Sequence, residues 1–147
     1  MNIELTKKQY KELLLLVFLG SWVRGGVADS RGEYSKEMDE LEEYLLGGAK
    51  NFDLGDLAEH FEGHIVASDK LSKEYEEVME EYNDDEFWSQ LSRRLGQRDF
   101  KRTVTKEEER HMKDNDGWFP ERIHKIYEEY DKEFEEHSID RLEIKEN

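Results

Sequence analysis

Near its end the chain places Phe119, Ile123, Ile126, Tyr127, Tyr130 and Phe134 at intervals of three and four residues, with Glu128, Glu129, Asp131, Glu135 and Glu136 filling the gaps. A 3.6-residue period sets the first group on one stripe of a helix and the second group on the opposite side. The same rhythm recurs upstream in Met38, Leu41 and Leu45, in Leu71, Tyr75, Val78, Met79 and Tyr82, and in Phe87, Trp88, Leu91 and Leu95. A chain written this way folds into helices that pack by their apolar stripes. Charged residues make up 41% and hydrophobic residues 35%, a balance also found in disordered acidic chains. Seven Phe, seven Tyr and three Trp at helical spacing decide for a folded one.

Capping residues and glycines punctuate the helices. Thr6 with Gln9 reads as a capping box opening a helix over residues 7–24. That helix is apolar nearly all round through Tyr10, the run 13–19 and Trp22, which predicts a central, buried position ended by Gly25-Gly26. A second helix starts at Ser35 and stops at Gly47-Gly48. A third is expected over residues 54–66, with Leu57, Ala58, Phe61 and Ile65 inward, although Gly55 and Gly63 oppose it. The fourth covers residues 69–82, and Asn83 or Asp84 caps a fifth that ends at Gly96 or Arg102. Thr105 and Glu108 form another capping box before a short polar helix to Lys113. Asp114-Asn115-Asp116-Gly117 is a turn, and Pro120 sits in the first turn of the last helix. Residues 2–5 and 139–144 alternate polar and apolar, predicting a two-stranded ribbon that joins the termini. The expected fold is therefore mainly α: a compact bundle of about five to six helices with a short two-stranded β-element, forming a single domain over residues 1–147.

With these elements in place a resemblance can be read. Residues 14–20 (Leu-Leu-Leu-Val-Phe-Leu-Gly) after the opening strand, the segment from Phe87-Trp88 to Arg98-Asp99, and the ending from residue 128 through Ile139-Asp140-Arg141-Leu142-Glu143-Ile144 resemble a group of small acidic bacterial helical proteins with no known activity. The likeness covers both ends and the fifth helix, and Gly96 departs from the helix former expected there. It implies a bacterial, cytoplasmic origin and carries over no activity, cofactor or functional residue.

Reactive constellations are few. There is no cysteine, which excludes disulfides and thiolate chemistry. His60 and His64, four apart, would share a helix face and are the metal candidates, but Phe61 stands where a zinc protease needs glutamate. Glu108 with His111 and Glu121 with His124 repeat the Glu-x-x-His spacing of di-iron bundles. With 26 Glu in the chain, that spacing is expected by chance. The turn around Gly117 lacks calcium ligands at Met112 and Ile123. No cofactor is expected.

Charge is more informative. The formal net charge is −16, which disfavours direct nucleic-acid binding and anionic membranes. The longest apolar run, seven residues, is short of a membrane span, and no signal peptide is read, so a cytoplasmic location is expected. Eight acids and no base lie between Glu74 and Glu86; Arg93, Arg94, Arg98, Lys101, Arg102 and Lys106 then accompany a single acid, Asp99. This basic segment either packs on the protein's own acidic helices or docks an acidic partner. Trp118, beside Phe119 in a loop, is the expected exposed aromatic contact. The sequence points to a non-enzymatic protein-interaction or regulatory protein using Arg93, Arg94, Arg98, Lys101, Arg102, Trp118 and Phe119 to recognise another protein. The alternatives are an acidic nucleic-acid mimic and a helical His/Glu metal-binding protein. The apolar first helix leaves a homo-oligomer open.

Overall fold

A computed structural model describes residues 3–143. It is mainly α: five helices, α1 (Lys7–Arg31), α2 (Lys36–Gly48), α3 (Asp69–Thr103), α4 (Lys106–Asp114) and α5 (Arg122–His137), and one antiparallel hairpin, β1 (Ala58–Phe61) and β2 (His64–Ala67). Two short 3-10 turns, Ala49–Phe52 and Gly55–Leu57, link α2 to the hairpin. The chain gathers into two compact units, Met1–Glu81 and Tyr82–Asn147, and α3 contributes to both.

In the first unit α1 begins at Thr6, whose side chain accepts from the Gln9 backbone while the Gln9 side chain accepts from the Thr6 N–H. This is the expected capping box. Tyr10, Leu14 and Phe18, four residues apart, point into a core completed by Leu46, Ala49, Leu54, Leu57 and Leu71. Tyr10 stacks on Phe52 with ring centroids 3.9 Å apart and donates its hydroxyl to Leu45 O at 2.7 Å. That seat explains the glycine pair at 47–48: a Cβ on Gly48 would lie 2.5 Å from the Tyr10 hydroxyl. Both glycines are in the last turn of α2 rather than beyond it.

Five further expectations are corrected. α1 does not end at Gly25-Gly26; it runs to Arg31, where Gly32 at φ 67° closes it by donating to Ala28 O and Asp29 O. Nor is α1 buried: Leu16, Trp22, Val23 and Val27 are exposed. The helix predicted over residues 54–66 is the hairpin, turned by Glu62 (φ 49°) and Gly63 (φ 88°), the paired positive φ of a type I′ turn. The fourth and fifth helices are one, because Asn83 and Asp84 do not cap; Asp84 instead accepts from Trp88 Nε1 at 3.1 Å. The terminal ribbon is absent among the described residues: 3–5 are irregular and 139–141 form a turn, while Asn2 and Ile144 lie outside them.

In the second unit α3 and α5 meet through Trp88, Gly96 and Phe100 on one side and Ile123, Ile126, Tyr127 and Phe134 on the other. Phe119 and Phe100 pack edge to face with centroids 5.4 Å apart, and the Arg122 guanidinium lies over the Phe100 ring at 4.6 Å.

Candidate functional site

The basic segment occupies the part of α3 that packs on α5, and its position follows from the helical period. Ser92, Gly96 and Phe100 are buried. At 100° per residue Arg94, Arg98 and Lys101 fall on the other side of the helix, with Arg93 and Arg102 at the margins. All five are exposed. Arg98 is held by Asp99, with Nε to Oδ1 at 2.8 Å and Nη2 to Oδ2 at 3.1 Å, and Arg102 reaches the same carboxylate at 3.2 Å. Tyr130 donates its hydroxyl to Asp99 as well. The Arg98 hydrogen bonds, followed by that of Tyr130, hold the Asp99 carboxyl at about 2. Arg93, Arg94 and Lys101 have no ion-pair partner among the described residues. Arg98 Nη2 also donates to the Tyr130 hydroxyl of α5 at 3.2 Å, so the segment packs on α5 through Arg98 while Arg94 and Lys101 face outward.

The acidic stretch lies one stretch earlier in α3. Glu74 pairs with Lys11 at 2.7 Å, and Glu76, Glu77, Glu80, Glu81, Asp84, Asp85 and Glu86 are exposed. At 100° per residue all of these acids except Glu86 fall within one half of the helix circumference, a broad face opposite Leu71, Tyr75 and Met79.

Trp118 is 76% exposed, whereas its neighbour Phe119 is turned inward on Phe100. Of the two, Trp118 is open to solvent and Phe119 is the one that packs. His60 and His64 do not form a helical pair. In the hairpin His60 opposes Ile65 and His64 opposes Phe61, and adjacent pairs alternate faces, so the two imidazoles point to opposite sides of the ribbon. His64 Nδ1 instead lies 3.4 Å from Glu43, whose carboxyl also accepts from Ile65 N at 3.1 Å. No group of three or more metal-ligating side chains occurs among the described residues. Glu108 does not serve His111 either: it accepts from Arg122 Nε at 2.6 Å and Nη2 at 3.0 Å.

A groove between α3 and α5, missed in the sequence, lies beside Arg93. Its volume is about 640 Å³, and Trp88, Tyr127 and Phe134 form its apolar walls. Ser92 borders it, 2% exposed, and its Oγ has no hydrogen-bond partner among the described residues. A buried hydroxyl left this way costs about 1–3 kcal/mol. Serine on an apolar stripe is the one sequence signal that could have drawn attention to the groove.

Comparison with protein-family models, curated proteins and solved structures finds no match. The functional reading therefore stands on these residues alone.

Proposed function

We propose that this is a non-enzymatic interaction protein whose second unit docks an acidic partner protein on the outward face of α3, with Arg93, Arg94 and Lys101 as the free cations and Trp118 as a separate aromatic contact. One observation carries the reading: Arg93, Arg94 and Lys101 stand exposed close together on α3 with no ion-pair partner among the described residues, in a chain of net charge −16. An exposed ion pair is worth only about 0–1 kcal/mol, so such a face gives register and encounter rate more than affinity.

The test is affinity capture from nuclease-treated lysate, comparing the wild type with Arg93→Glu/Arg94→Glu/Lys101→Glu. Specific partners are expected at low salt, with loss at about 0.5 M salt, where the Debye length falls below 5 Å, and loss in the triple variant. Retention indifferent to both changes overturns the proposal.

The first unit supports a second reading, self-association through α1. Leu16, Gly20, Val23 and Val27 are spaced four, three and four apart, all exposed, on the side of the helix away from Tyr10, Leu14 and Phe18. Apolar residues at that interval make a seam for another helix, and a second copy brings the same seam. By length and mean hydropathy (1.4) α1 is also long and apolar enough to cross a membrane. Against a span, Tyr10, Leu14 and Phe18 are built into the core. Beyond them residues 20–31 reach only about 18 Å at 1.5 Å per residue and include Arg24 and Asp29, whereas a bilayer core is about 30 Å thick.

A further inference from the structure

We propose that the groove between α3 and α5 binds a linear aliphatic polyamine. Its volume of about 640 Å³ is that of a small-ligand site. Asp85, Glu128, Asp131 and Glu135 stand around it against one guanidinium, Arg93, and the His124 imidazole. That balance selects cations.

Carboxylates alone would attract any cation, and two further features narrow the choice. Trp88, Tyr127 and Phe134 give walls that suit a methylene chain and whose ring faces attract an ammonium group. A hydrated divalent ion gains nothing from such walls. The Ser92 hydroxyl, buried at the edge of the groove without a partner among the described residues, is an acceptor that an ammonium N–H can satisfy.

Spacing along α5 then selects within the organic cations. Glu128, Asp131 and Glu135 follow one another by three and four residues, so they advance by about 4.5 and 6 Å along the axis. Ammonium groups separated by three and four methylenes repeat at comparable intervals, and the methylenes between them lie toward the aromatic walls. The site uses none of Arg94, Arg98, Lys101 or Trp118 and shares Arg93 alone with the proposed docking face.

Titration calorimetry on the full chain tests it, using a triamine with three- and four-methylene spacers in magnesium-containing buffer. Saturable one-to-one binding is expected, weakened at least fivefold in Asp131→Asn and in Ser92→Ala, and unchanged in Glu37→Gln, an exposed acid of α2 in the first unit. Amide chemical shifts should move in residues 85–93 and 124–135. Absence of saturable heat, full displacement by magnesium at equal charge, or shifts centred on residues 74–81 would each overturn the proposal. The shift map keeps the test decisive if a variant fails to fold.

Discussion

A methyl group added at Gly96 would sit 2.5 Å from Tyr127 Cδ1 and 2.8 Å from Cε1, with Ile126 Cγ2 at 3.5 Å. Glycine inside a helix gives up about 1 kcal/mol relative to alanine, so its presence in the middle of α3 needs a reason. The reason is the close approach of α5. Gly96→Ala gains propensity but forces the Tyr127 ring aside, and overpacking costs about 1–3 kcal/mol. The expected outcome is a net loss of about 1 kcal/mol in urea denaturation. Gly25, with nothing within 4 Å of its would-be Cβ, is the control; Gly25→Ala should stabilise by up to about 1 kcal/mol. A stabilised Gly96→Ala would show that the two helices can separate without loss. Residue identity had marked Gly96 as anomalous, but only the neighbour across the interface explains it. The same limit applies to Trp118 and Phe119: adjacent aromatics in a loop look alike in sequence, and Phe100 decides which one turns inward.

α4 is nine residues long and buries none of them. Helices that short are marginal in water, so α4 depends on its ends. Glu108 holds the first of them: its carboxylate accepts from Thr105 N at 2.9 Å, closing the capping box, and clamps Arg122 of α5. The Arg122 hydrogen bonds, then the Thr105 backbone N–H, lower the Glu108 pKa from 4.5 to about 2. A carboxyl with a depressed folded pKa contributes stability that is complete above the unfolded value and is lost as pH falls through the folded one. Amide protection in residues 106–114, taken relative to the intrinsic exchange rate at each pH, should therefore fall between pH 4.5 and 2, ahead of α5. Glu108→Gln keeps a capping side chain and removes the charge. It should exchange faster than wild type at pH 7 and lose the acid step. An unchanged acid step in that variant would assign it to other carboxyls, Asp99 first. Both capping boxes were legible in the sequence because they are local, three residues end to end. The hairpin was not: Leu57, Ala58, Phe61 and Ile65 mimic a helical stripe, and the Glu62-Gly63 turn that overrides it is a weaker signal than Asn-Gly. The join of two predicted helices into α3 escaped for a related reason, since Asn83 and Asp84 suit a cap but also tolerate a helix interior.

At the scale of the whole molecule two surfaces of opposite physics remain, and ionic strength separates them. The α1 seam exposes Leu16 at 66%, Val23 at 51% and Val27 at 47%. Together they form an exposed apolar row, the kind of surface that marks interaction sites on folded proteins. Two copies meeting by this seam bring together two chains of −16 each, so their repulsion opposes association over distances that salt screens. Self-association should therefore strengthen from about 0.05 to 0.5 M salt, while docking on the α3 cations weakens over the same range. Sedimentation at several concentrations reads the first effect directly, and Leu16→Glu/Val23→Glu should yield a monomer at every salt with the core residues Tyr10, Leu14 and Phe18 untouched. A wild type that stays monomeric at high salt, or a double variant that still associates, removes the seam. Co-flotation with neutral vesicles, abolished by the same double variant, would instead identify a lipid surface as what covers α1.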